Sequence, residues 1–492
     1  MPNVDREYRK VSILIPVYNE RYLVATLIER VLKAPIPNGY EREIIIVDDC
    51  SNDGTDKILK AFSEQNPEIR LFTQPVNKGK GASIQKAISE ATGNIIIFQD
   101  SDLEYDPDEY LNLLQPILEG HADVVYGSRF LAGKSRRVLY FRHALGNRFL
   151  TFVSNLFTDL NLTDMETCYK VFRAELLKSI PIRSKRFGLE PEITAKISKR
   201  GFRIYEVPIS YHGRTYQEGK KITWKDGLNA LFVILRYWLI DDVYSTQHGD
   251  MLYALSGTHR FNRWMASEVS RYIGNSVIEI GSGIGNMALQ LLPRDRYVCS
   301  DIDPLNLHAL RSLFSNRPNV EVRYLDISTE TNSFSEQDKF DTVLCLNVLE
   351  HIKNDTLALK NISELLLPKG RAIILVPNAP SLFSTLDAAL NHVKRYSKND
   401  LQDLLSNASF DIERIWFFNR ISTPGWIWNG KILKRRYFSR IQLKVFDSLV
   451  WLWRCIDPYL PWPGQSLIVV GRKSSQQSSE KKFSESHIAP AI

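Results

Sequence analysis

The stretch Ile95-Ile-Ile-Phe-Gln-Asp100-Ser-Asp102-Leu-Glu104 constrains this chain most. An apolar run carries a strand through a buried interior and ends in carboxylates separated by one residue. Parallel sheets keep their ligands at such strand ends. An Asp-x-Asp pair there can hold a hard divalent cation, Mg²⁺ or Mn²⁺, against a diphosphate, because carboxylate oxygens suit those ions. Two idle surface carboxylates near a turn look the same in isolation, so the upstream segments decide.

Val11 to Val17 reads as a buried strand, followed by Tyr18-Asn-Glu20 and a helix pattern ending near Lys33. Glu43 to Val47 predicts a second strand that stops at Asp48-Asp49, and a helix follows from about Thr55 to Glu64. Asp49 sits where a carboxylate can hold a base or ribose; Asp48 serves the same end or caps the next helix. A third strand, Ile69 to Thr73, leads into Asn77-Lys-Gly-Lys-Gly81 and a helix through Glu90. The glycines permit close backbone approach, and Lys80 can neutralise a phosphate. Ala82 and Ser83 break the order that a Walker A loop requires. A fifth strand, Ala122 to Tyr126, ends in Gly127-Ser-Arg129. The repeat is βαβ.

These segments together resemble the GT-A fold of family 2 glycosyltransferases, with a closer likeness to the dolichyl-phosphate mannose synthase group and its bacterial polyprenyl-phosphate glycosyltransferase relatives. The likeness runs from about Val11 to Asp242. It rests on an ordered set: Pro16-Val-Tyr-Asn-Glu20, Asp48-Asp49, Asn77-Lys-Gly-Lys-Gly81, Asp100-Ser-Asp102, Gly127-Ser-Arg129 and Asp164. By position, the resemblance implies that Pro16, Tyr18, Glu20 and Asp49 hold the nucleotide of a nucleoside-diphosphate sugar. Asp100, Asp102 and Glu104 would form the metal and diphosphate site; glutamine is usual at the last position, so Glu104 adds charge. Arg129, Arg214 and Lys221 match the basic residues that receive a lipid phosphate, with Lys220-Lys221 in place of the family's Ser-Lys step.

A prenyl phosphate is already ionised at neutral pH and can attack the anomeric carbon without a protein base, inverting it. Metal and basic residues then stabilise the leaving nucleoside diphosphate. The competing acceptor, a sugar or protein hydroxyl, wants a carboxylate base, with Asp164 or Glu192 as suppliers.

The 492 residues, 44% hydrophobic and 24% charged, fit two or three soluble globular domains. A net charge of +7 allows phosphorylated or membrane-surface substrates without demanding them. Five scattered cysteines without a Cys-x-x-Cys pair point to reduced thiols in the cytosol. No secretory signal is expected at the start. Leu228 to Ile240, interrupted by Arg236, is far shorter than the roughly 20 residues of a bilayer crossing. It reads as an interfacial helix or a buried core helix, and membrane contact is expected to be peripheral.

Ser276-Val-Ile-Glu279-Ile-Gly281-Ser-Gly283-Ile-Gly285 predicts a strand delivering a glycine loop to a helix. The loop alone also suits a dinucleotide. Further strands reach Asp301, Asp326 and Asn347-Val-Leu-Glu-His351. From roughly Phe261 to Lys473 the chain resembles class I S-adenosylmethionine-dependent methyltransferases. The resemblance implies that Glu279, Gly281, Gly283 and Gly285 approach the methionine part, Asp301 the ribose and Asp326 the adenine. Asn347 would line the cofactor near the sulfonium; His351 invites a metal or base reading, although this Leu-Glu-His turn commonly belongs to the scaffold beside the cofactor. His392 is the candidate general base for a hydroxyl acceptor, since neutral imidazole accepts a proton near neutrality. A structural role for His392 is the alternative. Lys394 and Arg395 can receive an acceptor phosphate or carboxylate.

Between Arg414 and Pro463, Trp416, Trp426, Trp428, Trp451, Trp453 and Trp462 alternate with basic residues. That pattern fits a surface lying against anionic headgroups, or a packed cap; no nucleic-acid module accompanies it.

The expected architecture is α/β throughout: a GT-A domain over 1–242, a linker at 243–258, a Rossmann-like methyltransferase domain over 259–473 and a disordered tail at 474–492. The expected chemistry is sugar transfer to polyprenyl phosphate and methyl transfer from S-adenosylmethionine to a related glycolipid or sugar hydroxyl. A glycan-hydroxyl glycosyltransferase with a sugar O-methyltransferase is the runner-up. A glycan-assembly scaffold with an inactive cofactor-binding domain is the non-catalytic alternative.

Overall fold

Apolar runs too continuous for a half-solvated sheet become the centres of two largely parallel sheets, each buried on both faces. In this computed structural model the chain divides into two compact units, Met1–Ser245 and Thr246–Ile492. It describes all residues except 1–8, 136, 139, 215–223, 241, 244–256, 330–334, 336–338, 439 and 475–492. Most of the expected linker and nearly all of the expected tail therefore lie outside the described residues.

The first unit holds β1 (Lys10–Val17), β2 (Glu41–Asp48), β3 (Ile69–Thr73), β4 (Ile95–Phe98), β5 (Val124–Ser128), β6 (Lys170–Arg173) and β7 (Ile204–Pro208). Their order is β3-β2-β1-β4-β6-β5-β7, with β6 antiparallel to both neighbours. Pairing of Pro16 with Val47 and of Leu14 with Phe98 brings the carboxyl ends of β1, β2 and β4 to one edge. Strand order turns back between β1 and β4, where a doubly wound sheet opens a ligand crevice.

Helices Phe141–Thr158 and Trp224–Leu239 pack together, with the Phe157 and Trp238 rings 4.9 Å apart. Both also turn apolar side chains to solvent, among them Phe149, Phe152 and Leu156 on one and Leu228, Phe232 and Trp238 on the other. Among the described residues, no helix is long and apolar enough to cross a membrane.

The second unit holds β8 (Ser276–Ile280), β9 (Arg296–Asp301), β10 (Val320–Tyr324), β11 (Phe340–Leu346), β12 (Leu366–Pro377), β13 (Phe410–Phe418) and β14 (Ser466–Lys473). The order β10-β9-β8-β11-β12-β14-β13 again reverses beside the first strand, and β14 runs antiparallel between β12 and β13.

The tryptophan-rich region departs from the headgroup expectation. Trp416 lies within β13 against the core. Trp453 and Trp462 donate their indole N–H to Phe446 and Arg420 carbonyls at 3.1 and 2.8 Å. Trp426 lies beneath the Arg395 guanidinium. Trp428 and Trp451 are the exposed members of the six. Four of these indoles are committed to packing.

Candidate active sites

In the first unit the strand end is pinned before it reaches the carboxylates. Gln99 Oε1 accepts from both Tyr110 and Tyr169 hydroxyls at 2.7 Å, and Gln99 Nε2 donates to the Asp100 carbonyl at 3.0 Å. Beyond it, Arg214 joins three acids. Its guanidinium reaches Asp102 Oδ2 at 3.0 Å and Glu20 Oε2 at 3.4 Å, while its main-chain N–H donates to Glu104 Oε1 at 2.8 Å. Burial, reinforced by the charges of Asp100 and Glu104 and opposed by Arg214, pushes the Asp102 carboxyl up to about 7. The two aspartates offer an all-oxygen donor pair, the donor type that suits Mg²⁺ or Mn²⁺, and each also faces a protein cation.

Several expected contacts are otherwise employed. Glu104, expected as a metal ligand, accepts from Tyr211 Oη at 2.6 Å as well as from Arg214. Among the described residues, Asp100, Asp102 and Glu104 do not converge as a three-ligand cluster. Lys80, expected on a phosphate, pairs with Asp100 at 2.9 Å and Glu190 at 3.1 Å. Despite the opposing effect of burial, those carboxylates hold its ammonium well above the usual lysine range. Asp49 accepts from the Lys78 and Gly79 amides at 2.8 and 2.7 Å, so its carboxylate anchors the glycine loop. Gly79 has φ +94°, and a Cβ there would meet the Lys185 carbonyl at 2.6 Å. That glycine accommodates neighbouring backbone as well as any ligand.

Arg129, expected on the lipid phosphate, is bidentate to the fully buried Asp164 at 2.7 and 2.8 Å. Glu192 accepts from the Arg183 and Ser184 amides and from Lys196 Nζ. Both expected base candidates are therefore hydrogen-bonded to fixed partners. Pro16 and the exposed Tyr18 remain at the end of β1 beside Glu20. Lys221 lies outside the described residues.

In the second unit Gly281, Gly283 and Gly285 all take positive φ, and a Cβ on Gly283 would meet nothing within 4 Å. That open side leaves room for a ligand against the backbone, as the cofactor requires. Asp301 Oδ2 accepts the Gly283 amide at 2.8 Å and Oδ1 the Asp303 amide at 2.9 Å, tying the loop to the end of β9. Glu279 accepts from Tyr297 Oη at 2.8 Å, and burial pushes its carboxyl up to about 7. Asp326 accepts from Ser328 N at 2.8 Å, and Asn347 leaves β11 at φ +56°.

His392 Nδ1 lies 3.0 Å from Asp387 Oδ1. Burial would raise Asp387, but His392 and Arg395 hold its carboxyl below the usual range. Arg395, expected on an acceptor anion, is instead buried on Asp387 and the Asn378 carbonyl at 2.7 and 2.8 Å. Sequence spacing misses Asp387 because it lies five residues from His392, across a helix end. It misses Tyr211 because that residue is 107 positions from Glu104.

Each of the two α/β units carries acid-tipped strand ends at its own reversal of strand order, where doubly wound sheets bind nucleotide ligands. Residues 12–180 match the family model of glycosyl transferase family 2, and residues 278–372 match that of a methyltransferase domain. The chain carries a family 2 glycosyltransferase domain followed by a methyltransferase domain, and both domains support an enzyme.

Undecaprenyl-phosphate mannosyltransferase of Micrococcus luteus is 28% identical over 43% of this chain and 87% of its own length. Dodecaprenyl-phosphate galacturonate synthase of Rhizobium johnstonii is 26% identical over 43% of this chain and 61%, under two thirds, of its own. Among solved structures, glucosyl-3-phosphoglycerate synthase of Mycobacterium tuberculosis with Mn²⁺, uridine diphosphate and glucosyl-3-phosphoglycerate aligns at 21% identity and TM-score 0.38. That alignment covers 47% of this chain and 81% of that one.

Proposed function

We propose that the first unit transfers a sugar from a nucleoside diphosphate to polyprenyl phosphate with inversion, and that the second methylates a hydroxyl of a related glycolipid or sugar. The observation that carries the first half is the commitment of Asp164 and Glu192 to fixed partners. A site whose proposed bases are occupied favours an acceptor that arrives ionised, and two prenyl-phosphate glycosyltransferases are among the relatives.

Asp100 and Asp102 would hold Mg²⁺ or Mn²⁺, which when bound offsets charge on the departing diphosphate. Pro16, Tyr18 and Glu20 would line the nucleotide. Arg214 keeps Glu104 through its main chain, so its guanidinium can exchange a carboxylate for an acceptor phosphate without moving the loop. The apolar side chains exposed on helices Phe141–Thr158 and Trp224–Leu239 support contact with a membrane surface, which we take to be anionic and cytoplasmic.

In the second unit Gly281, Gly283, Gly285, Asp301, Asp326 and Asn347 would surround S-adenosylmethionine, which when bound supplies the methyl group. Acceptor activation is assigned to the His392 cluster. Incubating the intact protein with nucleotide sugars, undecaprenyl phosphate and methyl-labelled S-adenosylmethionine, then weighing the products, tests both halves. Transfer to free glycans but never to prenyl phosphate rejects the first. Absence of labelled product across lipid and sugar acceptors rejects the second.

A further inference from the structure

The turn after β11 delivers Glu350 into the second unit with no solvent exposure, and neither carboxylate oxygen has a hydrogen-bond partner. An unpaired buried carboxylate is costly, and a protein keeps one where something else completes it. Two imidazoles face it. One donor atom each from Glu350, His351 and His392 lies within 4.8 Å of the other two, the one such group of three among the described residues.

The rings are already oriented as ligands. His392 Nδ1 bonds Asp387 at 3.0 Å, and its Nε2 points toward Glu350 Oε1 at 3.9 Å. His351 Nδ1 lies 3.2 Å from the Asn391 carbonyl, so in a neutral ring that nitrogen carries the proton. Ligating histidines are commonly held this way, by a carboxylate or a carbonyl on the far nitrogen.

We propose that Glu350, His351 and His392 bind a divalent transition cation, Zn²⁺, Mn²⁺ or Fe²⁺, at the carboxyl end of β11. Imidazole donors favour these ions over Mg²⁺ or Ca²⁺, and three protein ligands leave coordination positions open, the pattern of reactive rather than structural sites.

The consequence for chemistry rests on the methyltransferase reading; the metal site does not. An acceptor hydroxyl at an open position would lose its proton to water more readily. Its lone pair then forms the new C–O bond, while the pair of the broken S–C bond stays on sulfur. His392 would act as a ligand in place of a base.

The test uses the intact chain carrying Asp100→Ala and Asp102→Ala, which silences the first unit's carboxylate pair, and Co²⁺ alone as probe, without S-adenosylmethionine. One Co²⁺ per chain is expected by calorimetry, with two imidazole ligands by X-ray absorption. Glu350→Gln and His392→Ala are each expected to weaken binding at least tenfold. Asp387→Asn, acting through His392, should weaken it about tenfold. No binding in the parent chain, no imidazole in its spectrum, or undiminished binding in both ligand variants overturns the proposal. Because methyl transfer is read separately by labelled product, failure here leaves that reading standing.

Discussion

Arg214 Nη2 stands 3.0 Å from Asp102 Oδ2, so the first unit's metal-binding candidate and its acceptor-binding candidate touch. Replacing Arg214 with alanine leaves Glu20, Asp102 and Glu104 without their shared cation. We expect kcat/KM for sugar transfer to fall about a hundredfold, the scale for removing one charge-stabilising donor. Arg214→Lys should recover part of it, since lysine keeps the charge but loses the fork that spans two acids. Steady-state kinetics with a prenyl phosphate decide; activity unchanged in the alanine variant contradicts the assignment.

Gly79→Ala should destabilise the first unit by about 1–3 kcal/mol, because it adds strain at φ +94° and a clash with the Lys185 carbonyl. Urea denaturation of the intact chain, following a first-unit tryptophan such as Trp238, measures it. An unchanged midpoint would mean that the loop relaxes freely.

Glu279 gives a pH signature. Its carboxyl, pushed up to about 7 by burial, holds a proton in the folded state that the unfolded chain has released. Folding is therefore favoured below the ordinary glutamate range, and that advantage is lost as pH rises through about 7. Glu279→Gln removes this ionisation. The variant's melting temperature relative to wild type should climb between about pH 5 and about pH 7.5, then level off. A gap independent of pH in calorimetry excludes it.

Phe152→Ser with Phe232→Ser should reduce flotation with anionic vesicles severalfold, because both side chains are more than half exposed on neighbouring helices (65% and 62%). Transfer to a short water-soluble prenyl phosphate should be unaltered. Equal flotation of wild type and variant removes these helices from membrane contact.

Six parallel strands, β1, β2, β4, β8, β9 and β11, were legible because a buried, largely apolar run ends close to Asp, Asn or Gly, whereas the partly exposed parallel strand β7 was not read. β6 was not, and its first residue shows why. Lys170 is buried above the Tyr126 ring and donates to the Met165 carbonyl at 3.0 Å, so a charged side chain sits where the pattern calls for an apolar one. β13 was hidden by Glu413 and Arg414, which read as surface while Arg472 of β14 and Arg371 of β12, one strand further on, bind Glu413. At the sites, residue types at strand ends could be named, but their partners could not. Which cation answers Asp100, or which hydroxyl answers Glu104, depends on segments far apart in the chain, and local spacing carries no such information.

β6 lies between β4 and β5 although it is made after both. During synthesis the β4 edge that leads to Asp100 and Asp102 must wait, its amides and carbonyls unsatisfied, for a segment that has yet to emerge. A nascent chain halted before Lys170 would display an open apolar edge, the kind that recruits chaperones or pairs with a neighbouring chain. Asp100 and Asp102, which follow β4 directly, are thus held in place only after a much later segment has been made.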